Sequence, residues 1–137
     1  PRTDTTLLLA EEATRRGHCV VCYTVRDLSL RDGRVSATVR PLSVDAASGV
    51  PAVGGAAPMD LHGADVVLMR QDPPFNMEYL TATYLLEMLQ PKVRVVNDPR
   101  AVRDLPEKLF PVMFAEFMPP TLISADLAAL RSFHAEH

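Results

Sequence analysis

Tryptophan is absent from this 137-residue chain, and so is any excess of positive charge: 14 Lys and Arg stand against 17 Asp and Glu, for a net charge of −3. Nucleic acid and anionic membranes are gripped by basic patches, so neither is an expected partner. No apolar run approaches the roughly 20 residues of a membrane span, and no charged-apolar-small signal segment opens the chain. No G-x-G-x-x-G segment is present, which weighs against dinucleotide binding. The expectation is a cytoplasmic protein whose 47% hydrophobic composition suffices for one domain with a real core.

Cysteine is scarce as well. The two residues, Cys19 and Cys22, form a C-x-x-C pattern that elsewhere signals redox chemistry or half a zinc site. Both lie in HCVVCYTV, His18 to Val25, which reads as a strand, and strand residues three apart point to opposite faces. Bridging and shared metal binding are therefore disfavoured, and buried, inert thiols are expected. His18, His62, His134 and His137 show no ligand spacing, so no metal site is assigned.

What the chain does contain is organised around DVVLMRQDPPF, Asp65 to Phe75. Asp65 to Met69 reads as a strand buried on both faces, as in a parallel sheet covered by helices. Arg70 follows at its carboxyl end, where ligands bind in open α/β sheets. Pro73 and Pro74 fix φ and remove donors, so the loop is stiff. A guanidinium held in place suits a carboxylate or a phosphate. The alternative, an Arg70 that pairs with Asp72 or caps a neighbouring helix, stays open.

The remaining elements are punctuated by caps and turns. Asp4 is an N-cap for TTLLLAEEATRR, with Gly17 as its stop. A Rossmann-like design places a strand before that helix, so a strand is expected upstream, and Pro1 to Thr3 do not read as a natural start. LSLRDGRVSATVRPLSV alternates with period two around Asp32-Gly33, the signature of a hairpin added to an otherwise parallel sheet. Asp45 to Pro58, rich in Ala, Gly, Ser and Pro, reads as a mobile surface loop. Asn76 caps a helix to about Gln90 whose core stripe is Met77, Leu80, Tyr84, Leu85 and Met88; a Met-rich partner surface is the other reading. Val93 to Val96 is a short strand ending at Asn97, and Asp98-Pro99 starts a short helix.

Near the carboxyl end, DLPEKLF (Asp104 to Phe110) repeats the device, Pro106 opening a helix with Glu107 and Lys108 in its first turn. A lysine beside a positive helix end is out of place by a few tenths of a kcal/mol, a sign that a ligand phosphate would reverse. A solvated Lys108 paired with Glu107 or Glu116 is the alternative. Pro111 predicts a bend or break near Phe110. Ser124 caps a final helix, Ala125 to about Ala135, after the linker signal Met118-Pro119-Pro120.

VVLMRQDPPFNMEYLTATYLLE, then VVNDPRAVRDLPEKLF, then MPPTLIS, in that order, closely resemble the amino-terminal region of bacterial glutathione synthetases, which are ATP-grasp ligases. The resemblance covers nearly the whole chain. It implies an α/β fold: a Rossmann-like (pre-ATP-grasp) parallel sheet flanked by helices, with an antiparallel hairpin addition, in an incomplete chain. Residues 1–117 would be the amino-terminal substrate domain without its first strand, and 118–137 the beginning of the ATP-grasp domain.

The activity implied is ligation of γ-glutamylcysteine to glycine with ATP, through an acyl phosphate, giving glutathione, ADP and phosphate. Arg70 would face the peptide substrate and Lys108 the ATP phosphates, while Asp4, Asp72 and Asn97 shape loops or caps. The catalytic lid and the Mg2+ ligands would lie outside this chain, so the chain alone is expected to be inactive. A homo-oligomer, tetrameric in the family, is implied too. Two rivals remain: another ATP-grasp amino-acid ligase, against which the R-x-D-P-P motif argues, and a Rossmann-like binding or interaction module without chemistry.

Overall fold

The computed structural model describes residues 4–45 and 48–137; the expected start at residues 1–3, and positions 46 and 47 of the expected surface loop, lie outside the described residues. The chain forms a mixed α/β structure that divides into two compact units between Arg103 and Asp104.

In the first unit, Asp4 caps helix α1 (Thr5–Arg15) by accepting from the backbone N–H of Thr6 at 2.8 Å and of Leu7 at 3.2 Å. At the other end Gly17 adopts φ +83° and donates to Thr14 O, and His18 donates to Ala13 O at 3.0 Å. Those two bonds close a Schellman motif, as the Arg16-Gly17 pair predicts.

The sheet that follows is antiparallel and is built on one long strand. Strands β1 (Val21–Cys22), β2 (Leu28–Arg31), β4 (Pro51–Val53) and β5 (Ala57–Asp60) all pair with β3 (Arg34–Val44). The expected hairpin is the β2–β3 pair, turned by Asp32 at φ 50° and Gly33 at φ 75°, a type I′ geometry that matches strand twist. Val35, Ala37 and Val39 put one face of β3 into the core.

Three expectations are corrected in this part of the chain. The strand over His18 to Val25 shrinks to β1, because Thr24 and Asp27 form a T-x-x-D box: Asp27 accepts from Thr24 N and Oγ1 and starts a 3-10 turn at Val25–Asp27. In consequence Cys19 is exposed and Cys22 half-buried, not sealed in the core; both thiols are free. The Asp45 to Pro58 segment contains β4 and the first half of β5. The reason is that β3, eleven residues long, outruns its four-residue hairpin partner, and its remaining backbone groups need partners. The composition there hides the strands because β4 is exposed throughout.

Parallel pairing among the described residues is confined to β6 (Val66–Leu68) and β7 (Arg94–Val96), in the register Val67 to Val95. Val67 and Val95 are buried, but Val66 and Leu68 are about half exposed, at 50% and 49%, so the pair is covered on one face and not on both as expected. Helix α2 (Met77–Glu87) is capped by Asn76 as read, through Tyr79 N. Of the expected stripe Leu85 packs against the core and Leu80 is half-buried, while Met77, Tyr84 and Met88 are exposed; the fully buried residues are Ala82, Thr83 and Leu86, with Leu89 just beyond. Apolar residues surround this helix, so spacing alone cannot choose a face.

Helix α3 (Pro99–Asp104) is tied to α2 by Arg103. Its guanidinium donates to Thr83 Oγ1 at 3.1 Å, pairs with Glu87 and lies 4.2 Å over the Tyr84 ring. The buried Thr83 hydroxyl donates to Leu80 O at 2.6 Å and accepts from Arg103, so it is satisfied on both counts.

The second unit starts with a turn in which Leu109 N and Phe110 N donate to Pro106 O, not with the helix expected there. A 3-10 helix, Phe110–Phe117, follows with Pro111 in its first turn, where the missing N–H costs nothing. The expected break near Phe110 is this change of geometry; a second interruption falls at Phe114 (φ −118°, ψ 43°). Helix α4 (Leu127–Glu136) is capped by Asp126, which accepts from Ala128 N, and Ser124 instead receives Asp126 N, two residues from its expected role.

Candidate functional site

Met69, the last residue of the apolar run, is buried and donates to Val96 O, so the chain is fixed up to the point where Arg70 emerges. The exposed Arg70 side chain reaches the first turn of α1. Its Nη2 donates to Thr5 Oγ1, and its Nε donates to Thr6 Oγ1 at 3.5 Å. Among the described residues it pairs with no carboxylate, Asp72 included; both partners are neutral hydroxyls.

That arrangement sets a cation beside the positive end of a helix, an unfavourable contact of a few tenths of a kcal/mol that the Asp4 carboxylate at the N-cap offsets. It also leaves the Arg70 charge unquenched. Guanidinium, helix terminus and hydroxyls together present donors and positive potential, the environment in which a carboxylate or phosphate is stabilised. Sequence reasoning found Arg70 but not Thr5 and Thr6. The signal was only that both follow the cap Asp4 directly.

The neighbouring loop, at the carboxyl end of β7, behaves differently. Asp98 accepts from Ala101 N at 2.9 Å and from Gln90 Nε2 at 3.1 Å, and the Ala101 N–H, then Gln90, holds its carboxyl below the usual range. One oxygen thus caps α3 through Ala101 N, and the other is held by the Gln90 side chain. Asn97, Asp98, Gln90 and Arg94 line an open depression of about 730 Å3. Among the described residues no three His, Cys, Asp or Glu side chains come together as a metal site.

Lys108, in the second unit, is 85% exposed and pairs with the adjacent Glu107, whose carboxyl it holds below its ordinary range by a hydrogen bond. It lies in the Pro106 turn, so it has no helix terminus beneath it. Of its two sequence alternatives, the pair formed is the one with Glu107.

Comparison with known proteins adds the following. The family model described as prokaryotic glutathione synthetase, N-terminal domain, matches residues 1–103, the stretch that ends where the first compact unit ends. Among curated proteins, the glutathione synthetase of Rhodopseudomonas palustris is 47% identical over 137 residues, which is 99% of this chain and 44% of that protein. Those of Mesorhizobium japonicum, 47% identical over 97% of the chain, and Xanthomonas axonopodis pv. citri, 43% over 98%, are each matched over 43% of their own length. The chain thus spans less than half the length of the relatives it matches. No described helix is long and apolar enough to cross a membrane.

Proposed function

The chain belongs to the prokaryotic glutathione synthetase family, and on that footing we propose that it supplies the peptide-substrate side of an ATP-dependent ligase joining γ-glutamylcysteine to glycine. The observation that carries this reading is the placement of Arg70: anchored by the buried Met69, partnered by the Thr5 and Thr6 hydroxyls, and charged without a carboxylate of its own among the described residues. A peptide carboxylate is a planar anion, and a guanidinium fork is its complement.

In this reading Arg70 binds and orients the peptide, and Lys108, exposed and paired among the described residues with the neighbouring Glu107, turns to the ATP phosphates. ATP activates the cysteinyl carboxylate as an acyl phosphate that the glycine amine attacks, so the chain's own task is to hold the carboxylate in place. The described residues offer no set of ligands for Mg2+, and no step here is routed through it. The finer architecture is proposed with the function: a Rossmann-like amino-terminal domain over 1–117, an ATP-grasp domain starting at 118, a cytoplasmic location and a homo-oligomer.

The test is product formation by the whole protein that carries this chain. Glutathione and ADP should appear together, and only when γ-glutamylcysteine, glycine and ATP are all present. ADP release coupled to a different acceptor, or none with this one, would overturn the reading.

A further inference from the structure

We infer that Thr5 is a positioning residue for Arg70, using its hydroxyl to fix which edge of the guanidinium is presented to the peptide substrate. The inference rests on the proposed role of Arg70 in binding that peptide. Its own support is geometric. A guanidinium has a side edge, Nε with Nη2, and an end edge, Nη1 with Nη2, and either can grip a planar carboxylate bidentately. Here the side edge is turned to α1: Nη2 donates to Thr5 Oγ1 and Nε points to Thr6 Oγ1 at the long distance of 3.5 Å. The end edge is left for an anion.

The choice of partner matters as much as the direction. A carboxylate in the place of Thr5 would hold Arg70 equally well but would neutralise it; a hydroxyl orients the group and leaves the charge intact. Arg70 is exposed and its long side chain has many rotamers, so an unheld arginine would lose that freedom at the moment of binding. Thr5 is a firm anchor because it is the first residue of α1, directly after a cap that bonds Thr6 N and Leu7 N. On the Arg70 side, Pro73 and Pro74 restrict the loop, and Met69 is buried.

The experiment is a double-mutant cycle by steady-state kinetics on the whole protein, with γ-glutamylcysteine as the varied substrate. Thr5→Val, and Thr5→Ala as a variant that retains helix propensity, should each raise the KM for γ-glutamylcysteine about three- to tenfold, the range of one ordinary net hydrogen bond. The KM for ATP should move less than about twofold, and Thr5→Ser should restore the wild-type value. Thr6→Val should have the smaller effect, because its bond is the longer one. In an Arg70→Ala background, removing the Thr5 hydroxyl should add nothing.

Additive effects in that cycle, an equal rise in both KM values, or no rescue by Ser would mean that Thr5 merely supports the helix, and would overturn the inference. If Arg70→Ala raises the KM and the Thr5 variants do not, the inference fails and the reading of Arg70 stands. If Arg70→Ala itself leaves the KM unchanged, both fall.

Discussion

Arg70 Nη2 donates to the hydroxyl of Thr5, joining the carboxyl end of β6 to the first turn of α1 across 65 positions of sequence. Neither residue is buried, so the bond contributes little to stability; its effect is to aim a charge. From this, Arg70→Ala should lower kcat/KM for γ-glutamylcysteine by roughly 1.5 to 3 kcal/mol, about ten- to a hundredfold, and leave the melting temperature nearly unchanged. Steady-state kinetics beside thermal unfolding checks both halves. A specificity constant equal to wild type would remove Arg70 from the site.

Lys108 makes a contrasting prediction. Its partner among the described residues is the adjacent, equally exposed Glu107, and an exposed pair of this kind has no measurable hold on the fold. Lys108→Ala should therefore leave unfolding by urea unaltered while raising the KM for ATP about tenfold and sparing that for the peptide. Equal effects on the two substrates would assign Lys108 a structural part instead. Unaltered kinetics would reduce it to a solvated surface lysine.

What could be read from the sequence divides along physical lines. Local signals survived: the Asp4 and Asn76 caps, the Gly17 stop, the Asp32-Gly33 turn and the strand that delivers Arg70 all depend on a few adjacent residues. The lost features depend on partners distant in the chain. β4 and β5 exist because β3 is long, and no residue within 45–58 advertises that. Spacing places Leu85 of α2 against the core but misplaces Met77 and Met88, because they are as apolar as Leu86 and Leu89. Thr5 escaped notice because a hydroxyl at the start of a helix is common, and only the fold brings Arg70 to it.

The α2 assignment can be tested directly. Leu89 is 0% exposed and Met88 is 45% exposed, although they are neighbours in sequence and similar in size. Leu89→Ala should cost about 2 to 5 kcal/mol, as a buried leucine leaves a cavity, whereas Met88→Ala should cost under about 1 kcal/mol. Equilibrium unfolding in urea separates these values. Comparable losses would mean that both faces of the helix are covered.

Tyr23 packs against the core, and burial pushes its phenol up to about 12. The folded state thus holds the proton more tightly than the unfolded chain, whose tyrosines ionise near pH 10. The stabilisation is complete below pH 10 and is lost as the pH rises to 12, at about 1.4 kcal/mol per pH unit in that window. Replacing Tyr23 by Phe should flatten this part of the stability curve. The phenolate absorbance that Tyr23 contributes, taken as wild type minus Tyr23→Phe, should rise about two pH units later in the folded protein than in the unfolded one.

Gly33 provides the last test, because its environment isolates a single cause. It adopts φ +75°, and an added Cβ would meet nothing within 4 Å, so any penalty for Gly33→Ala is backbone strain alone. The expected cost is about 1 kcal/mol. Asp32 is also in the left-handed region, at φ 50°, where Asn is well accommodated, so Asp32→Asn should be neutral or slightly stabilising. Since β3 carries every other strand of its sheet, strain at this turn should be felt as global unfolding, not as local fraying. Hydrogen exchange at Val35 and Ala37 decides it: amides that open together with the rest of the sheet fit that coupling, while faster opening at the hairpin alone would show β2 to be an independent flap.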